Sequence, residues 1–178
     1  MNLIQNMDMN ILDFIHKNIA NNFLDKIMIF ITSIGNLGLI WIAISLLLLI
    51  SKKYRKVGVL CIASLLLSSL IGEVFLKNLV QRGRPFTAVE GINLLIKAPK
   101  SFSFPSGHTA SSFAVATVVG RKIEKFKFPP IYILAIAIAF SRLYLYVHYP
   151  SDVLVGALIG VISAKIILSM RSKHNFKF

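Results

Sequence analysis

Most residues in this chain that can do chemistry fall in three short stretches. They are "KNLVQRGRP" from Lys77 to Pro85, "FPSGHTASSF" from Phe104 to Phe113 and "SRLYLYVHYPSD" from Ser141 to Asp152. Lys77, Arg84 and Arg142 supply three cations, and the planar forks of the two arginines match the oxygens of a phosphoryl group. Ser106 adds a hydroxyl. The amides of Gly107 and His108 open a predicted helix whose N-terminal end attracts an anion, and Gly107 has no side chain to hold the backbone away. Together these residues could form a cradle for phosphate.

Two histidines and one carboxylate add reactivity to the cradle. His148 and Asp152 are four residues apart, on one face of a helix that starts near Pro150. Asp152 can take the proton of one ring nitrogen and leave the other as a lone pair aimed at phosphorus, which makes His148 the candidate nucleophile. His108, at the start of another helix, can protonate a departing oxygen, since an alkoxide leaves badly without an acid. Each piece also has a plain structural reading. Lys77 and Arg84 could be snorkelling anchors, Pro-Ser-Gly-His a turn with its cap, and His148 with Asp152 an interfacial pair. Their joint chemistry favours a site.

The elements that must position these residues are apolar. Of 178 residues, 56% are hydrophobic and 15% charged, with a mean hydropathy of +0.72, against roughly half apolar and a quarter charged in soluble domains. This composition predicts an integral membrane protein. Crossing the hydrocarbon takes ~20 apolar residues, and five segments qualify: Ile27 to Ile50, Val57 to Leu76, Gly107 to Gly120, Pro130 to Val147 and Val153 to Met170. The third is short, and Gly35, Asn36 and Gly38 are expected to kink the first or split it in two. Ahead of them, Ile11, Leu12, Ile15 and Ile19 face away from Asp13, His16 and Lys17, the pattern of a helix lying at the interface. Met1 to Asn10 is polar and lacks the make-up of a cleavable signal peptide.

The net charge of +13 sits mainly in short runs between apolar segments. It therefore reads as topology, and no nucleic-acid partner is expected. Lys52, Lys53, Arg55 and Lys56 follow the first segment, Arg121, Lys122, Lys125 and Lys127 the third, and Arg171, Lys173 and Lys177 the fifth. Basic loops stay cytoplasmic, so the three chemical stretches are expected to meet on the extracytoplasmic side. The single Cys61 permits no disulfide and no cysteine metal site, and no carboxylate cluster suited to a metal is visible.

The order Lys, six residues, Arg-Pro, then Pro-Ser-Gly-His, then Ser-Arg, five residues, His, three residues, Asp resembles the three-part signature of the type 2 phosphatidic acid phosphatase family, whose soluble relatives include vanadium haloperoxidases. All positions are filled: Lys77, Arg84 and Pro85; Pro105, Ser106, Gly107 and His108; Ser141, Arg142, His148 and Asp152. The resemblance implies a metal-independent lipid phosphatase without cofactor, working through a phosphohistidine. By it His148 attacks, Asp152 orients His148, and His108 is the acid that later helps activate water. Lys77, Arg84, Ser106, Gly107 and Arg142 hold the phosphoryl oxygens.

The resulting expectation is an all-α polytopic bundle of five to six transmembrane helices with an N-terminal interfacial amphipathic helix and a vanadium haloperoxidase-like core. It forms one membrane-embedded domain over residues 1–178, with the signature in 77–152. The expected partners are the bilayer and a lipid phosphate or diphosphate. Undecaprenyl diphosphate comes first, because recycling that carrier needs an outward-facing site and the compact chain, free of Asn-X-Ser/Thr sequons, fits a bacterial origin. Phosphatidylglycerophosphate and phosphatidic acid follow closely, and retention of Gly107, which diphosphatase members often vary, tempers the first choice. A non-catalytic binder or transporter is the alternative class. A transporter predicts repeated halves, which are not visible, and a dead binder predicts loss of His148 or Asp152. Outside the signature, Glu73 is expected to pair with Lys77. Arg82 reads equally as a headgroup contact or a helix-end anchor. His16 and His174 read as solvated, Trp41 and the aromatics from Tyr144 to Tyr149 as packing, and the loop from Phe86 to Ser103, with Glu90, as a cover over the site.

Overall fold

The computed structural model describes residues 3–89, 91–123 and 130–174, the last four by backbone alone. Glu90, Lys125, Lys127 and Lys177 lie outside the described residues, as do the side chains of Arg171, Lys173 and His174. Regular structure among the described residues is helical: α1 (Leu3–Asn18), α2 (Asn22–Ile34), α3 (Leu39–Ile50), α4 (Arg55–Ser69), α5 (Lys77–Val80), α6 (Gly107–Lys122), α7 (Pro130–Tyr144) and α8 (Pro150–His174).

Local sequence explains most boundaries. Asn21 caps α2 by accepting from the amides of Phe23 and Leu24. Between α2 and α3 the turn Asn36–Gly38 carries two left-handed residues, Leu37 at φ 52 and Gly38 at φ 70, and the two helices bend by 45°. This is the break expected from Gly35, Asn36 and Gly38. α4 runs on through a π-helical stretch, Leu70–Leu76, into α5, which stops where Gln81 turns left-handed. Ser106 caps α6, and α8 opens on Pro150, whose missing N–H costs nothing there.

α6 is central and packs against α4, α7 and α8. From Ala114 to Gly120 every residue is buried. Gly156 and Gly160 let α8 cross it backbone on backbone: a Cβ on Gly156 would stand 2.6 Å from the Ser106 carbonyl, and one on Gly160 2.8 Å from the Ala114 nitrogen. This small-residue crossing is common in membranes. Fully buried Trp41 donates from Nε1 to Ser112 Oγ at 2.8 Å and ties α3 to α6.

The expected five to six transmembrane helices are not found. Among the described residues, two helical runs are long and apolar enough to cross, Arg55–Thr87 and Pro150–Met170. The bent pair Asn22–Ile34 and Asn36–Ile50 makes a third if it counts as one span. The segment Gly107 to Gly120 belongs to a 16-residue helix, about 24 Å long against the ~30 Å of hydrocarbon. Pro130 to Val147 becomes the 15-residue α7, ending at Tyr144. α6 is apolar because protein surrounds it, and hydropathy alone does not separate that burial from burial in lipid. The protein is a multi-pass membrane protein whose outer faces expose Leu66, Leu70, Phe75, Leu154, Leu158 and Ile162.

The N-terminal helix buries Leu12 and Ile15 of its expected apolar side and leaves His16 and Lys17 exposed. α1 is docked on α7 and α8 with Asp8, Leu12 and Ile15 buried. Met7, Ile11 and Phe14 are exposed, so much of the apolar face points outward. On the polar side, half-buried Asp13 accepts from the Tyr146 hydroxyl at 2.8 Å, and exposed His16 meets the Tyr146 ring edge-on.

Candidate active site

The π-helical stretch delivers Lys77 to the inside of the bundle, where it is 7% exposed. Its ammonium lies 2.6 and 2.7 Å from the two carboxylate oxygens of Glu73, the expected pair. A Cβ on Gly107 would collide with that carboxylate, so Glu73 lies directly against the start of α6. Arg84 follows the end of α5 and is held on three sides. Nε donates to Ser101 O at 2.8 Å, Nη1 to Val147 O at 2.7 Å, and Nη2 to Ser101 Oγ and Phe102 O, each at 3.2 Å. Arg142, in the last turn of α7, is 3% exposed. It donates to Thr32 Oγ1, and its Nε has no hydrogen-bond partner among the described residues. His108 Nε2 lies 3.1 Å from Asn36 Oδ1 in the turn between α2 and α3.

His148 precedes α8 in the loop after α7 and is buried at 2% exposure. Its Nε2 lies 3.3 Å from Arg84 Nη1. A guanidinium nitrogen can only donate, so this contact requires Nε2 to accept and puts the ring proton on Nδ1. Nδ1 faces Asp152 Oδ2 at 3.6 Å, beyond hydrogen-bond length, and has no other partner among the described residues. Burial, reinforced by the cations of Arg142 and Arg84, pushes the imidazole down to about 3 although Asp152 pulls the other way. The ring is therefore neutral near pH 7.

Asp152 is fully buried behind His148. Oδ1 accepts from Arg82 Nη1 at 2.7 Å, and Oδ2 from Tyr149 N at 2.9 Å and from Ser103 Oγ. Arg82 thus holds the Asp152 carboxylate, a partnership that neither of its two expected roles included. Ser106 stands behind the cradle wall: its hydroxyl lies 2.9 Å from Thr109 Oγ1, and its amide donates to the Asp152 carbonyl at 3.1 Å.

Lys77, Arg84, Gly107, His108, Arg142 and His148 line one cavity of about 920 Å³. Ile42, Leu46, Ile62, Leu65 and Leu66 line another part of it. A cationic end thus opens into an apolar groove. Ile96 to Pro99 and Ser101 form part of the wall, so the long loop does border the site. Tyr144, Tyr146 and Tyr149 are buried, as packing residues should be. Sequence reasoning missed Asp8, Thr32, Asn36 and Ser103. A carboxylate among the inward positions of α1 was the one available signal. Among the described residues no group of three or more His, Cys, Asp or Glu side chains is placed to hold a metal ion.

This architecture, with an imidazole and three cations around one cavity inside a helical membrane bundle, is that of a recognised class. The chain belongs to the PAP2 superfamily, which it matches over residues 58–176. It is 34% identical over 137 residues to an undecaprenyl-diphosphatase of Sulfolobus acidocaldarius, covering 77% of this chain and 66% of that one. The chain thus spans just under two thirds of that relative's length. Its fold is similar to that of LpxE of Aquifex aeolicus, with a TM-score of 0.78 and 31% identity over 92% of this chain and 95% of the other. A PAP2-type phosphatidylglycerolphosphate phosphatase of Bacillus subtilis is also similar, with a TM-score of 0.77 and 26% identity over 99% and 90% of the two chains.

Proposed function

We propose that this protein is a metal-independent lipid phosphatase that removes the terminal phosphoryl group of undecaprenyl diphosphate at the extracytoplasmic face. The observation that carries the reading is the single cavity with His148, His108 and three cations at one end and an aliphatic groove at the other. It suits a phosphate joined to a long apolar chain. The relative named as an undecaprenyl-diphosphatase supports the substrate, while the structural neighbour named for phosphatidylglycerolphosphate supports a glycerophospholipid as the second reading. The side of the membrane is supported by the helical run Arg55–Thr87, which is long enough to cross and leads from the basic stretch Lys52, Lys53, Arg55 and Lys56 to Arg84 in the site, since basic ends stay cytoplasmic.

The terminal phosphoryl enters between Lys77, Arg84 and Arg142 and displaces Glu73 from Lys77. His148 Nε2 attacks phosphorus. A P–N bond forms and the P–O bond to the lipid phosphate breaks. His108 is neutral in this structure, because burial and the cations of Arg142 and Arg84 push it down to about 2. It takes up a proton as the substrate's negative charge offsets those cations and gives it to the departing oxygen. Water activated by His108 then attacks the phosphohistidine, releasing phosphate and restoring the ring. Asp152 steadies Nδ1–H throughout, and Ser106 braces the start of α6 from behind. Phosphoryl transfer is accelerated mainly by positioning and charge stabilisation, which three preset cations can supply.

The test is phosphate release in detergent from undecaprenyl diphosphate, phosphatidylglycerophosphate and phosphatidic acid, with and without chelator, for wild type and His148→Ala. Release that favours the diphosphate, survives chelator and is lost in the variant is expected. Undiminished release by His148→Ala rejects the nucleophile, loss with chelator rejects the metal-free chemistry, and preference for a glycerophospholipid selects the second reading.

A further inference from the structure

The N-terminal helix reaches the candidate site through a chain of alternating charge. Asp8, 4% exposed on the inner face of α1, accepts from Arg82 Nη2 at 2.7 Å and from the amide of Ser151 at 2.9 Å and its hydroxyl. Arg82 Nη2 also donates to Gln5 Oε1 at 2.6 Å, and Nη1 to Ser151 Oγ and Asp152 Oδ1, each at 2.7 Å. Its Cζ lies over the Tyr149 ring, 3.8 Å from the centre. Both terminal nitrogens of Arg82 thus hold protein acceptors.

We propose that Asp8 and Arg82 are positioning residues for the reaction. The sequence Asp8, Arg82, Asp152, two buried carboxylates joined by a half-buried guanidinium, sets where the Asp152 carboxylate stands and how much negative charge it presents to His148, so α1 is part of the working site. The inference rests on the reading of His148 as nucleophile.

Two physical arguments carry it. First, a carboxylate removed from water is costly unless paired and hydrogen-bonded, and Leu12 and Ile15 supply apolar docking for α1 without it. The acid at position 8 satisfies Arg82 and the start of α8. Second, charge alternates along the chain. Asp8 offsets Arg82, so Arg82 can grip Oδ1 without fully neutralising Asp152, which must still favour positive charge on the ring as His148 bonds to phosphorus. The charged groups around the ring are Arg84 from the turn after α5, Arg142 from α7 and Asp152 from α8. Asp13 and His16 of α1 meet the same loop at Tyr146.

The account predicts opposite shifts for two variants. Arg82→Gln removes a positive charge near His148 and moves the acid limb of kcat/KM to higher pH. Asp8→Asn removes a negative charge and moves it to lower pH. The Arg82→Gln shift is on the order of one unit, for a charge with only Asp152 between it and the ring, and the Asp8→Asn shift is smaller because Arg82 also intervenes. In both, kcat falls roughly ten- to a hundredfold, as for residues that orient a functional histidine, while KM changes much less. Ionisation of the substrate is common to all arms and drops out of the difference. If Asp8→Asn does not fold, Arg82→Lys against Arg82→Gln decides: Lys keeps the charge and the wild-type limb, whereas Gln shifts it. Acid limbs that stay in place or move in the same direction overturn the proposal. Activity retained by His148→Ala removes instead the reading beneath it.

Discussion

At His148 one ring nitrogen faces a guanidinium and the other a carboxylate. Arg84 donates toward Nε2 and so holds the ring in the tautomer with its proton on Nδ1. The lone pair on Nε2 becomes available once the phosphoryl draws Arg84 to itself. The same cation and Arg142 oppose protonation. Stability should show this. The unfolded chain takes up a proton near the ordinary histidine pKa of ~6.5, whereas the folded ring does so only near 3. Below pH 6.5 the unfolded state therefore binds more protons, and stability falls as pH drops toward 3. His148→Asn should flatten the decline of melting temperature over that window, and an unchanged slope would count against the buried neutral ring. Glu73 makes a separate prediction. It occupies Lys77 in the unliganded site, so Glu73→Gln should strengthen competitive inhibition by inorganic phosphate about two- to fivefold, the scale of a partly exposed ion pair. Weaker inhibition would mean that Glu73 supports anion binding. The signature residues were readable because Pro and Gly mark the turns that carry them. Thr32, Asn36 and Ser103 were not, since nothing local marks a side chain whose partner is distant in sequence.

Among the elements, the crossing of α6 and α8 has the least tolerance. Gly160→Leu inserts a side chain where a single Cβ already meets backbone. It should cost about 1–3 kcal/mol and lower the melting temperature in detergent by several degrees, with Leu158→Ala, on the exposed face of the same helix, as the mild control. Equal melting temperatures would show that the helices separate there. The break between α2 and α3 was legible because glycine and asparagine interrupt an apolar run, and the structure gives that break two partners in the site, Thr32 for Arg142 and Asn36 for His108. The π-helical stretch before Lys77 left no trace in the pattern, as it follows from a shift in backbone hydrogen bonding rather than from composition. The number of spans departs from the sequence pattern because α6 is apolar for the protein interior, while α7, although it exposes Ile133 and Ile136, stops after 15 residues. The buried side of α1 was legible from Leu12 and Ile15, whereas Asp8 counts as polar in the pattern until Arg82 is beside it.

On the scale of the molecule, the proposal is a phosphate site at one end of α6, remote from its basic end, with a greasy groove toward the bilayer. Lys97→Cys, on the loop that borders the cavity, should react with an impermeant thiol reagent in intact cells. Buried Cys61 should remain silent, and labelling only after lysis would place the site in the cytoplasm. The central claim, that distant turns converge on one phosphorus with His148 as nucleophile, is tested most directly by trapping the covalent intermediate. Enzyme turning over undecaprenyl diphosphate is quenched in alkali, where a phosphoramidate survives, and the phosphorylated residue is located by mass spectrometry. The account predicts phosphate on His148 and none anywhere in His148→Ala. Phosphate on another side chain, or full turnover by the variant, would contradict it.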